Sequence, residues 1–70
     1  MLATNKINIT IREKEVLYLI AYECTSREIA DKMHLSVETI RTHRKNLLRK
    51  MNVRNIAGLV RKSMETGLLG

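Results

Sequence analysis

The chain has no proline, phenylalanine or tryptophan, and only one cysteine, two tyrosines and three glycines in 70 residues. Each shortage removes a class of molecule. A single thiol closes no intrachain disulfide, so Cys24 reads as a structural residue in a reducing compartment. Two tyrosines leave few platforms for stacking splayed bases, which disfavours a reader of single-stranded RNA. No apolar run approaches the roughly 18 residues of a membrane span. The first residues lack the charged-then-apolar order of a secretion signal. A soluble, cytoplasmic protein is expected. Without proline and with few glycines, the chain suits helices joined by short turns.

Chemistry is also thinly supplied. His34 and His43 are the only histidines. They stand nine apart with no cysteine pair or carboxylate cluster, so no metal site is expected. No Ser/His/Asp arrangement, paired-carboxylate site or phosphate-cradling glycine loop is visible, and neither an enzyme nor a cofactor is expected. Seventy residues make one domain. A chain this short buries only about 60% of the surface its unfolded form exposes, so its stability margin is small.

What the chain does have is basic charge in one place. The net charge is +6 and the isoelectric point about 10.0. Residues 36–54 hold Arg41, Arg44, Lys45, Arg49, Lys50 and Arg54 against Glu38 alone. Nearly all the excess therefore lies on one segment. A single-signed patch this local points to an anionic partner, nucleic acid before a membrane surface.

The apolar spacing predicts four helices. The first begins at Thr10, which forms a capping box with Glu13, and turns Val16, Leu17, Ile20 and Ala21 inward. Tyr18 and Tyr22 are expected to pack against neighbouring side chains. Thr25 and Glu28 cap a second helix in the same way, with Ile29, Ala30 and Met33 inward. His34 is assigned a left-handed conformation that stops this helix. Ser36 caps the third helix, whose inward stripe is Val37, Ile40, Leu47 and Met51. Glu38, Arg41, Thr42, Lys45 and Arg49 fall on the opposite face, with His43 and Arg44 on its shoulders. The fourth helix starts near Asn55, runs through Ile56, Leu59, Val60 and Met64, and ends at Gly67, with Leu68 closing the cap. Arg61 and Lys62 are read as solvated. Residues 1–8 show no helical period and are expected to form a flexible arm or linker end, leaving 9–70 as the domain.

A short capped helix, a tight turn and a longer helix with a basic outer face are the parts of a helix-turn-helix, whose second helix enters the DNA major groove. The blocks that carry this pattern are Thr10-Ile11-Arg12-Glu13-Lys14-Glu15-Val16-Leu17, Glu28-Ile29-Ala30, Ser36 to His43, Leu48 to Val53, Leu59-Val60 and Gly67-Leu68-Leu69. In this order and spacing they resemble the LuxR/GerE-type helix-turn-helix domain from about Ile9 to Leu69. The resemblance implies an all-α, four-helix domain that binds double-stranded DNA in bacterial transcription regulators. It implies base reading by Arg41, Thr42 and Lys45. It also implies backbone contacts by Thr39, His43, Arg44 and the start of the second helix, Thr25, Ser26 and Arg27; Ser36 and Arg49 complete that set. A free helix N-terminus favours phosphate at Ser26 and Arg27 on physical grounds as well.

The resemblance further implies a homodimer through the fourth helix, for which Val60, Met64 and Leu68 are the candidates. The chain departs from the family at Glu23, where glycine is usual, at His34, where glycine or asparagine is frequent, and at Ile56-Ala57-Gly58, where polar residues are more common. The rival reading is a module that mainly docks another protein, such as an RNA polymerase subunit or a partner regulator. Such a face would expose leucine, methionine or aromatics. A sigma-like promoter-binding domain is disfavoured by the fourth helix and the Gly67-Leu68-Leu69 ending. No receiver pattern is visible and the domain is too short to enclose a small signal molecule. Control is therefore expected from another domain or from the protein's abundance.

Overall fold

Ending helices is the local problem for a chain with so little glycine. The computed structural model, which describes residues 8–69, shows how it is solved. The element order is α1 (Ile11–Ala21), α2 (Ser26–Met33), α3 (Val37–Met51) and α4 (Ile56–Glu65). No strand occurs among the described residues. The expected arm at residues 1–8 lies outside the described residues except for Asn8.

Each helix starts on the residue the sequence marks. The Thr10 hydroxyl accepts from the Glu13 N–H at 3.1 Å, and the Glu13 carboxylate accepts from the Thr10 N–H at 3.0 Å. Thr25 and Glu28 repeat this reciprocal box at the start of α2. Ser36 Oγ accepts from the Thr39 N–H to open α3, and Asn55 Oδ1 accepts from the Gly58 N–H to open α4. A typical cap of this kind is worth about 1 kcal/mol.

Helix ends use a device only partly legible beforehand. Glu23, His34 and Asn52 all take positive φ, at 66°, 57° and 57°. Behind each, the next N–H reaches back five residues: Cys24 to the Leu19 carbonyl, Leu35 to Ala30 and Val53 to Leu48. These are Schellman turns built on residues with a Cβ. His34 does what its position predicts, and Asn is well suited to the left-handed region. Glu23 is the least suited of the three, in the position where the resembled family uses glycine. Gly67, at φ 81°, follows α4 as expected.

The helices close on one core. Val16, Leu17 and Ile20 of α1, Ile29 and Ala30 of α2, Ile40, Leu47 and Met51 of α3, and Leu59 of α4 are buried together. Each large side chain among them contributes about 1.5–3 kcal/mol on burial. α3 packs on both α1 and α2, and α4 closes against α3 and α1. Leu35, between α2 and α3, is half-buried against the core and ties their turn to it. Ala21, Met33 and Val37 lie at the margin, half-buried where the spacing put them inward.

One expectation is corrected, at Lys62. Tyr18 and Tyr22 lie on a flanking side of α1 beside Ala21, Val60, Met64 and Leu69, and remain 40% and 77% exposed. Helix α1 has already filled its inward face with Val16, Leu17 and Ile20, and the tyrosines lie on another side. Lys62 is not simply solvated, because its ammonium donates to the Met51 carbonyl at 2.8 Å and so caps the end of α3. Arg61 remains at the surface beside Glu65.

One charged pair is taken inside. Glu13 is 4% exposed, and Lys50 of α3 donates to its Oε1 at 2.8 Å. Burial pushes the Glu13 carboxyl up. The Lys50 hydrogen bond, the Thr10 backbone N–H, the Lys50 charge and the Thr10 hydroxyl outweigh it and hold the group below its ordinary value of 4.5. A depressed carboxylate stabilises the fold above its unfolded pKa, and that contribution is lost as pH falls through the folded value. Glu13→Gln is therefore expected to lower stability at pH 7 by about 1–2 kcal/mol, since it strands the Lys50 charge. It should also flatten the acid limb below pH 4.5, as followed by thermal melts across pH. Glu23→Gly relieves a left-handed residue whose Cβ costs about 1–2 kcal/mol, offset in part by the greater chain entropy of glycine. A rise in melting temperature of about 2–6 °C is expected in a domain of this size.

Candidate nucleic-acid interface

The exposed face of α3 is set by the core below it. Because Ile40, Leu47 and Met51 point inward, Arg41, Thr42, Lys45 and Arg49 stand exposed on the other side. Arg41 sits 3.4 Å from Glu38 Oε2, one turn earlier, in a fully surface pair. Such a pair is worth little and yields readily to a stronger acceptor. The Thr42 hydroxyl donates to the Glu38 carbonyl at 3.1 Å. That satisfies its proton within the helix and leaves its methyl and lone pairs for other contacts. Arg49 lies 3.4 Å from Asn46 Oδ1, and Lys45 is exposed.

The shoulder residues behave differently. Arg44 is half-buried, and its guanidinium donates to Ser26 Oγ at 2.8 Å. This bond joins the first turn of α2 to the middle of α3. Two residues singled out separately for phosphate contact therefore meet at one point, beside the free N–H groups of the α2 start. Thr25 and Arg27 flank that point and are exposed. Ser36 and Thr39 share a 2.9 Å hydroxyl–hydroxyl bond at the start of α3. His43 is half-buried, and its Nδ1 is shielded from solvent with no hydrogen-bond partner. A proton placed there would find no acceptor.

One member of the basic segment leaves the patch. Lys50 turns away to Glu13 and to the Asn8 carbonyl, 2.8 and 2.9 Å from its ammonium. Its partners lie 37 and 42 residues away in the chain, so no local spacing announced the arrangement. Only the buried position of a capping glutamate hints at a cation opposite it.

Three depressions on the described surface are wide open to solvent. One is lined by Arg12, Glu15, Tyr18, Leu19, Lys32 and Met33. A second runs along the α3–α4 turn past Arg54, Asn55 and Arg61. The third lies among Tyr18, Ala21, Tyr22, Val60, Met64 and Leu69, on a different set of side chains from the α3 face. Met64 there is 66% exposed, Val60 is half-buried, and Leu68 packs against the core. No group of His, Cys, Asp and Glu among the described residues is placed to hold a metal ion. No described helix is long and apolar enough to cross a membrane.

A capped α2, a left-handed turn at His34 and an α3 with a basic outer face define a helix-turn-helix domain. The pattern of the bacterial regulatory proteins of the luxR family matches residues 8–63, and the chain belongs to that family. It is 36% identical over 61 residues to the transcriptional regulatory protein MctR of Rhizobium johnstonii, covering 87% of this chain and 28% of MctR. It is 38% identical over 60 residues to the uncharacterized response regulatory protein YgeK of Escherichia coli K12, covering 86% of this chain and 41% of YgeK. The chain thus spans well under half the length of these relatives. Among solved structures, the transcription factor GerE shares the fold with a TM-score of 0.80 at 24% identity, over 84% of this chain and 88% of GerE. VqmA of Vibrio cholera, solved with a ligand and DNA, aligns with a TM-score of 0.82 at 27% identity, over 96% of this chain and 29% of VqmA.

Proposed function

We propose that this domain binds double-stranded DNA sequence-specifically, as the DNA-binding unit of a bacterial transcription regulator working in the cytoplasm. The observation that carries this reading is the outer face of α3. It offers two cations and a threonine at Arg41, Lys45 and Thr42, on a helix held by a packed inner face. The large hydrophobic residues that are exposed among the described ones are Ile11, Tyr18, Tyr22 and Met64, none of them on α3. A face that docked protein through α3 would display such residues. The VqmA relative, solved with DNA, supports the same reading.

In this reading α3 lies in the major groove. Arg41 leaves Glu38 to donate two hydrogen bonds to a guanine, and Lys45 donates to a guanine acceptor. Thr42 meets a thymine methyl. Ser26, Arg27, Arg44, His43, Thr25, Ser36, Thr39 and Arg49 hold the sugar-phosphate walls. These backbone contacts supply most of the affinity and fix the register, while the base contacts supply discrimination. Arg41→Ala and Lys45→Ala are each expected to weaken binding to a sequence selected from randomised duplexes by about 10- to 100-fold. Binding to random DNA should fall much less. Equal weakening on both would overturn the base-reading assignment.

A homodimer on an inverted repeat is part of the proposal. Its support is the exposed apolar band where Met64 and Val60 of α4 adjoin Tyr18 and Tyr22 of α1. An isologous contact presents the same patch from both copies, and tyrosines and methionine are favoured anchors in such interfaces. Two half-sites one helical turn apart lie about 34–36 Å from each other. Met64→Glu combined with Tyr22→Glu is expected to abolish the 2:1 complex on a paired site while leaving single half-site affinity unchanged. Electrophoretic or ultracentrifugal stoichiometry at saturating protein reads the outcome.

A further inference from the structure

Lys50 belongs to the basic segment by sequence but to the interior by geometry. It stands in the last turn of α3, with its side chain 23% exposed, and Glu13 opposite it is 5% exposed. The ammonium donates to Glu13 Oε1 at 2.8 Å and to the Asn8 carbonyl at 2.9 Å. That Glu13 oxygen also accepts from the Thr10 N–H at 3.0 Å. One ammonium therefore collects the incoming chain at Asn8, the cap of α1 and the far end of α3. We propose that Lys50 is a positioning residue for DNA reading, fixing α3 against α1 and coupling the backbone at Asn8 to the reading face, without touching DNA itself.

The argument is one of levers. α3 has 15 residues, about 22 Å at 1.5 Å per residue. Its middle is braced to α2 by the Arg44–Ser26 bond. The apolar contacts of Leu47 and Met51 resist separation but leave sliding and small rotations cheap, because dispersion and hydrophobic attraction are non-directional. The charge-assisted bonds at Lys50 are directional, the one to Glu13 is partly buried, and they fix the remaining freedom at the far end. A base-reading side chain needs placement to within about 0.5 Å and 10–20°. A long lysine or arginine on a phosphate tolerates more. Loosening the latch should therefore cost discrimination before it costs affinity. The Asn8 bond adds a second consequence. Whatever displaces the backbone entering the domain pulls on the same ammonium that orients α3.

This inference rests on the DNA-reading function, and the test separates the two. Wild type, Lys50→Met, Lys50→Arg and Lys45→Met are titrated with a selected site and with random duplex over a series of salt concentrations. For Lys50→Met, the ratio of specific to random affinity is expected to fall about 5- to 20-fold, with the salt slope on random DNA unchanged. Lys50→Arg should restore most of the ratio. Lys45→Met, losing a proposed base contact at the groove, should lower the ratio as well, but without the amide shifts at Asn8, Ile9 and Thr10. In amide spectra, Lys50→Met is expected to shift the resonances of Asn8, Ile9 and Thr10, and the Glu13 carboxyl should titrate at a higher pH than in wild type. A salt slope reduced by Lys50→Met would show a direct phosphate contact and overturn the proposal. An unchanged specificity ratio would reduce the pair to a purely structural one and overturn it equally. A wild type with no preference for any sequence would instead remove the DNA-reading function on which the proposal stands. If Lys50→Met fails to fold, Glu13→Gln tests the same latch. It keeps an acceptor for the Thr10 N–H, removes the charge that holds Lys50, and is expected to produce the same selective loss of discrimination.

Discussion

The inner face of α3 is the constraint from which the rest of the molecule follows. Ile40, Leu47 and Met51 are wholly buried in the core that α3 shares with α1, α2 and α4. Helical periodicity then leaves Arg41, Lys45 and Arg49 no direction but outward. A domain of this size has little core to spare, so the same helix must anchor the fold and present the site. Packing and function are thus coupled through one rigid rod. Its inner side chains decide where its outer side chains stand.

Polar contacts refine what the core holds. Arg44 to Ser26, Lys50 to Glu13 and Lys62 to the Met51 carbonyl each join α3 or its end to another part of the chain. Together they reach α2, α1 and α4. Apolar packing brings these helices together, and the directional bonds add orientation that non-directional contacts do not supply. The Schellman turns at Glu23, His34 and Asn52 do the corresponding work for the backbone. They satisfy carbonyls left over at the helix ends and reverse the chain within a few residues.

Much of this was legible in the residues. The capping boxes at Thr10/Glu13 and Thr25/Glu28, the serine cap at Ser36, the asparagine cap at Asn55 and the left-handed His34 rest on interactions within five residues. The inward stripes of α1 and α3 follow from a fixed helical period. The exposed basic face of α3 was legible for the same reason, since it is the complement of that stripe. What escaped was long-range. Lys50 looks like any other base in a cationic run until Glu13 is seen beneath it. Lys62 gives no sign of its carbonyl partner eleven residues back. Spacing placed Tyr18 and Tyr22 on a flank of α1 but could not say that Val60 and Met64 of α4 would stand beside them.

The sequence by itself determined the helices, their N-terminal caps, the helix-turn-helix unit and the family. Those are written in short-range spacing, where each residue meets partners one or two turns away. Only the tertiary structure decided which cations remain on the surface, which one is spent holding α3, and where an apolar band stays uncovered. Those outcomes depend on helices meeting across 18 to 37 residues of chain, and the geometry of that meeting is set by the packing of the whole core.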